Sequence, residues 1–308
     1  MRLYRLLTLV LVLSVVSGCG AVTPAGQSGA SPTTLKVLAV ETFLADMAQN
    51  VAGDRLTVDA LMPVGVDPHA FEPVPEDITR VVKSDVLIVN GAGLEEFLDR
   101  LLTNAGGKRQ LIETSAGLTP RQPQQGEAPS DHPDGDPHFW LDPMMAVRYV
   151  ANIRDGLSKA DPAGAATYAA NADAYIQKLK DLDGWIKEQV SRIPEKDRLL
   201  ITNHESLGYF ADRYGFIIVG TILASVSTSA SPSARELAQL VTEIRQTGAR
   251  AIFLETGANP QLAKQVAQDT GVRVVEDLYT HSISLGAPAP TYIDMMKVNT
   301  TKIVDALK

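Results

Sequence analysis

The sequence predicts an α/β protein of two similar lobes with mostly parallel sheets, joined by a long rigid helix. Three observations carry that expectation. Short β-rich runs alternate with helix-compatible stretches from Leu35 to Asn90, the same alternation returns from Leu199 onward, and an Ala-, Lys- and Leu-rich segment lies between the two. Alternation of this kind builds parallel sheets, because the return to a neighbouring parallel strand needs a crossover, which a helix supplies. A chain of 308 residues is long enough for about two domains of ordinary size.

In the first lobe, residues 35–160, the runs Leu35–Val40, Leu56–Leu61 and Val86–Asn90 read as buried strands, and Leu44–Val51 and Glu76–Lys83 as helices. In the connecting segment, 161–195, Pro162 after Asp161 suits a first helical position, and Pro194 closes the far end. One helix of about thirty residues would extend about 45 Å; Gly184 in its interior leaves open a break into two. In the second lobe, 196–308, Leu199–Thr202, Phe216–Thr221, Ala251–Glu255 and Val272–Val275 read as strands. Helices are expected at Ser233–Thr247 and Pro260–Thr270, with Ser233 before Glu236 and Asn259 before Pro260 as their starts. Residues 121–137 are polar and without periodicity, a surface loop in which His132 is read as solvated.

Composition narrows the function. At 45% hydrophobic and 21% charged, the chain is globular rather than disordered, collagen-like or polytopic. The net charge of −8 argues against nucleic acid as a partner, since that needs clustered surplus cations. The single cysteine excludes a disulfide within the chain and a zinc site built on several thiolates.

That cysteine has an informative place. Arg2 and Arg5 precede an apolar run, Leu6 to Val16, which is shorter than the roughly 20 residues needed to span a bilayer and suits a secretory signal. Val16-Ser17-Gly18-Cys19 resembles the lipobox of bacterial lipoproteins, which implies removal of residues 1–18 and lipidation of Cys19. Residues 19–34, rich in Gly, Ser, Pro and Thr, read as a flexible tether with a reach of about 20 Å. The expected location is extracytoplasmic, on the periplasmic or cell-surface side, with the chain held at the cell membrane by its lipid.

With His132 set aside, the remaining histidines fall at or after the C-terminal ends of expected strands, where ligands gather in open α/β sheets. His69 and His138 each sit in an Asp-Pro-His tripeptide, His204 in Thr202-Asn203-His204-Glu205, and His281 in Thr280-His281-Ser282. Any one alone reads as a structural histidine. A repeated tripeptide and an even division between the lobes read instead as convergence on one metal ion in the cleft. Imidazole is a neutral, borderline ligand that suits zinc and accepts other transition metals. Asp67, Asp136 and Glu205 are neighbours able to orient the rings.

At this point the chain resembles the cluster A-I substrate-binding lipoproteins of bacterial zinc and manganese ABC transporters, the ZnuA/TroA/PsaA-like family. The resemblance is carried by Cys19, MPVGVDPHAFEP (Met62–Pro73), DPHFWLDP (Asp136–Pro143), TNHESLGYFADRYG (Thr202–Gly215), FLETGANP (Phe253–Pro260) and TYIDMMKVN (Thr291–Asn299), in family order. It implies two lobes joined by a rigid helix, with the metal between them. It further implies that His69 and His138 are ligands from the first lobe and His204 a ligand from the second, with an ABC permease and its ATPase as partners. The fourth family ligand is usually aspartate, where this chain has His281. His281 is the favoured ligand, the rivals being Asp277, Glu255 or water, and Glu205, Glu255 and Asp277 are the carboxylates expected behind the ligands. Zinc is the expected cargo, with manganese next, and the protein is expected to be a monomer.

Two other functions compete. His204-Glu205 begins like the H-E-x-x-H of a secreted zinc hydrolase, but Gly208 stands where the second histidine belongs. A surface adhesin or metal-storage protein finds no repeat or coiled-coil pattern in support. The reading is therefore a binding protein, not an enzyme.

Overall fold

The computed structural model describes residues 35–122, 135–229 and 231–308. In the first lobe the chain runs β1 (Val37–Ala39), α1 (Thr42–Ala52), β2 (Val58–Ala60), α2 (Pro75–Val82), β3 (Val86–Val89), α3 (Leu98–Ala105), β4 (Gln110–Glu113) and α4 (Pro143–Ala160). The long α5 (Ala165–Val190) follows. The second lobe continues with β5 (Leu199–Thr202), α6 (Gly208–Tyr214), β6 (Ile217–Thr221), α7 (Ala234–Thr247), β7 (Ala251–Glu255), α8 (Gln261–Thr270), β8 (Arg273–Leu278) and α9 (Tyr292–Leu307).

Each lobe carries a four-stranded sheet, ordered β2-β1-β3-β4 and β6-β5-β7-β8, with every pairing parallel. The two orders are the same topology, so the lobes are similar as expected. In both, the chain moves outward from the first strand and then returns past it, which leaves a crevice at the C-terminal strand ends. Central strands are apolar throughout because helices cover both faces: all of Val86–Val89 is buried.

Helix starts follow local chemistry. The Asp142 carboxylate accepts the Met144 N–H at 2.7 Å, with Pro143 at the first position of α4. Ser233 and Glu236 form a reciprocal capping box at α7. α5 runs unbroken for 26 residues, about 39 Å, straight through Gly184. Its Tyr168, Ala172, Tyr175, Leu179, Leu182, Ile186 and Val190 form one buried stripe. That stripe packs on α1, α4 and α9, and the burial outweighs the helix cost of one glycine, about 1 kcal/mol.

The principal hydrophobic core does not stop at the lobe boundary. It joins Phe43, Trp140 and Tyr149 of the first lobe to Leu179 of α5 and to Tyr209, Phe253 and Met295 of the second. Phe43 stacks on Trp140 with centroids 4.5 Å apart, the Trp140 indole N–H donates to the Thr280 carbonyl at 2.7 Å, and the Tyr292 hydroxyl donates to the Trp140 carbonyl at 2.6 Å. At the head of the connecting segment, Arg55 and Tyr168 both bond Asp161, the hydroxyl at 2.6 Å. One side of the cleft is thus closed by packed aromatic groups.

Candidate metal centre

His69, His138, His204 and His281 come together at the C-terminal edges of the two sheets. Each offers one ring nitrogen, and the four nitrogens lie within 4.8 Å of one another. His138 is the hub: its Nε2 is 3.3 Å from that of His69, 3.2 Å from that of His204 and 3.2 Å from that of His281. All four residues are buried, His138 and His204 completely. Nitrogens bound tetrahedrally at about 2.0–2.1 Å from a metal are about 3.3 Å apart, so these three separations match an edge of such a site.

The local sequence explains how two of the rings are presented. In each Asp-Pro-His tripeptide the aspartate Oδ1 accepts the backbone N–H of the histidine two residues on, at 3.0 Å from His69 to Asp67 and 2.9 Å from His138 to Asp136. Such an aspartate turn, with proline restricting the path, aims the histidine before its ring meets anything else. Asp136 does more: the His138 ring Nδ1–H also donates to Oδ1, at 2.8 Å, which leaves the Nε2 lone pair facing the cluster. The Asp136 carbonyl accepts the Tyr209 hydroxyl at 2.6 Å, and Asn90 holds the Pro137 carbonyl at 3.2 Å. Burial pushes the Asp136 carboxyl up to about 7, against the lowering effect of the His138 N–H and Arg121.

On the other lobe one carboxylate serves both imidazoles. Glu255, the last residue of β7, lies 2.8 Å from His204 Nδ1 and 3.6 Å from His281 Nδ1, and accepts the Ser206 hydroxyl at 2.9 Å. Burial works to raise this carboxyl, but His204, His281 and Ser206 outweigh it and hold it below the ordinary glutamate range. His204 is the mirror case: burial disfavours its charge, yet Glu255, with Asp67 and Asp136, pulls its pKa above the ordinary value. For His281 burial prevails and its pKa is lowered.

The other two carboxylates expected near the ligands are elsewhere. Glu205 is turned from the cluster and lines a separate cavity with Arg121, Gln239 and Glu243. Asp277 is exposed, held in a left-handed conformation (φ 66°) where β8 shifts register against β7. Its carbonyl accepts the Lys302 ammonium. His204 and Glu205 lie in a bend before α6 begins at Gly208, so no helix presents an H-E-x-x-H arrangement here. Cys19 and His132 lie outside the described residues.

Comparison with known proteins places the fold in a family. The family described as zinc-uptake complex component A, periplasmic, matches residues 37–306. The manganese-binding lipoprotein MntA of Halalkalibacterium halodurans is 36% identical over 302 residues, 97% of this chain and 96% of the relative. A manganese-bound periplasmic metal-binding protein from Candidatus Liberibacter asiaticus superposes with a TM-score of 0.78 at 29% identity, covering 89% of this chain and 100% of that one. The periplasmic zinc-binding protein TroA from Treponema pallidum gives 0.77 at 26% identity, covering 88% and 99%. With the same two-lobe fold and a match along nearly its whole described length, the chain belongs to the ZnuA family of periplasmic zinc-uptake components.

Proposed function

We propose that the chain is the extracytoplasmic substrate-binding lipoprotein of a metal ABC importer. It captures a divalent transition metal on His69, His138, His204 and His281 and delivers it to a membrane permease driven by an ATPase subunit. Cys19 is the lipid anchor, and the protein works as a monomer. One observation carries the site: four buried imidazoles from two lobes share one nitrogen-lined centre, and nothing but a common cation gives that arrangement a purpose. Among the described residues no helix is long and apolar enough to cross a membrane.

Zinc is the cargo this donor set favours. The separations of 3.2–3.3 Å about His138 bring the nitrogens close enough to share one ion, and an all-imidazole set lacks the oxygen donors that manganese prefers. Four neutral rings leave the full double positive charge in place, and Glu255 stands where it offsets part of it. Manganese is the second reading, favoured by the name of the 36%-identical relative. Metal content of protein purified without added metal, followed by zinc–manganese competition, decides between them. Manganese bound as tightly as zinc would remove the zinc assignment, and binding of neither would remove the function.

A further inference from the structure

The two sides of the cleft are closed by different chemistry. On one side Phe43, Trp140 and Tyr292 belong to a core continuous through both lobes. On the other lies a cavity of about 580 Å³, whose wall takes Asp67 from the first lobe and Asn203, Thr228, Glu255, Asn259 and His281 from the second. This cavity reaches the imidazole of His281. The cavity beside Glu205, by contrast, is lined by none of the four. The ring-bearing residues that keep some exposure are His69 at 6% and His281 at 8%, while His138 and His204 have none. His281 lines the 580 Å³ cavity, and His69 follows two residues after Asp67 of its wall. The wall mixes apolar residues with the oxygen-bearing side chains of Asp67, Asn203, Thr228 and Glu255, which offer a hydrated cation groups to exchange for its waters.

Hydroxyl hydrogen bonds cross this side. The Thr228 hydroxyl donates to Asp67 Oδ2, the Gly65 N–H donates to Ser282 Oγ at 2.8 Å, and the Ser227 hydroxyl donates to Glu96 Oε1 at 3.1 Å in an exposed setting. The first is distinctive, because the other oxygen of Asp67 holds the His69 N–H. The segment carrying Thr228 is shaped by its own serines: the Ser227 N–H donates to Ser225 Oγ at 2.9 Å and the Ser229 N–H to Ser227 Oγ at 3.3 Å. A loop of the second lobe thus reaches across the cavity and fastens the turn that presents a first-lobe ligand.

We infer that this cavity is the passage by which the ion enters and leaves, and that the Thr228–Asp67 hydrogen bond is its latch. Thr228 is a positioning residue: it touches no metal and acts through Asp67 on His69. The inference rests on the metal-carrying function proposed above. Breaking the latch frees the His69 turn and opens the passage, so release accelerates, whereas narrowing the passage slows entry and exit alike.

The test uses the full chain loaded with zinc, mixed rapidly with excess chelator. Thr228→Val should release zinc about tenfold faster than wild type, and Thr228→Ser should restore the wild-type rate. Ser227→Ala should change the rate less than threefold. Ala258→Trp, in the cavity wall, should slow both association and release with little change in equilibrium affinity, while Gln239→Trp in the other cavity should leave both rates alone. Wild-type release from Thr228→Val, or equally fast release from Thr228→Val and Thr228→Ser, overturns the latch. Unchanged rates in Ala258→Trp overturn the passage. Either result leaves the metal-binding function standing, since that falls only if the wild-type chain holds neither zinc nor manganese.

Discussion

The turns at residues 67–69 and 136–138 share the same tripeptide and the same aspartate-to-backbone hydrogen bond, yet they are wired differently into the molecule. Asp136 turns back on its own histidine, bonding the His138 backbone and ring together, and is itself buried beneath Tyr209. Asp67 holds the His69 backbone with one oxygen and accepts the Thr228 hydroxyl of the opposite lobe with the other. The first turn presents a histidine whose ring is aimed by its own aspartate, while the turn's carbonyl is held by Tyr209 of the second lobe. The second makes a ligand whose placement depends on the lobes being together. Identical local sequence thus yields one histidine whose ring its own aspartate holds and one whose aspartate gives its second oxygen to the opposite lobe, and the difference lies in what surrounds the aspartate.

The largest effects should fall on the ligands themselves. His138→Ala removes the hub and should lower zinc affinity by well over a hundredfold in a chelator competition. His69→Ala should also lose most affinity; similar losses at His132→Ala would move the site to the insertion loop. Next come the aspartates. Asp136→Asn, which keeps an acceptor for the turn and loses the charge behind the ring, should weaken affinity about 10–100-fold. Asp67→Asn should weaken it less at equilibrium and accelerate release more, and equal equilibrium losses in the two would erase the contrast drawn above.

Acid should weaken binding through the rings. Glu255 raises the His204 pKa, so the metal-free ring keeps its proton to higher pH than an ordinary imidazole. A metal must displace that proton, so affinity is fully developed above the raised pKa and is lost as pH falls through it. Affinity flat from about pH 7.5 to about pH 5.5 would contradict histidine ligation. Glu255→Gln should move the onset of this loss to lower pH.

The smallest effect on the contrast should come from the frame. Arg55 holds the Asp161 carboxyl down to about 2, from an ordinary 3.8. A depressed carboxylate contributes stability that is present above its unfolded value and is lost as pH falls toward the folded one. Asp161→Asn should therefore lower the melting temperature at neutral pH, and the difference from wild type should shrink between about pH 4 and about pH 2. Because Asp161 touches neither turn, zinc release from wild type and variant should match.

Much of the frame was legible along the chain, and what escaped has identifiable reasons. Central strands such as Ala251–Glu255 are buried along their whole length, and such apolar runs stand out. β4, Gln110–Glu113, escaped because it is an edge strand with only Ile112 buried. α4 and α9 were not anticipated, although Asp142-Pro143 and Thr291 are ordinary helix starts, with Asp142 and Thr291 each capping by its side chain. The single helix expected across the connecting segment stands as α5; Gly184 left a break open because propensity is local, while the packing that overrides it is not. For the site, the repeated Asp-Pro-His pointed to His69 and His138, but the carboxylate serving His204 proved to be Glu255, not its chain neighbour Glu205. Consecutive residues point in different directions, so adjacency in sequence is poor evidence of contact in space.

By itself the sequence determined the α/β alternation and singled out the repeated Asp-Pro-His as candidate ligand loops, because hydrophobic period and proline-restricted backbone belong to short stretches of chain. Only the tertiary structure decided that Glu255 faces two rings, that Thr228 reaches Asp67, and that one side of the cleft is cored while the other is latched. Those are pairings of residues separated by tens to hundreds of positions. They exist only once two sheets and a continuous helix have fixed where the strand ends meet.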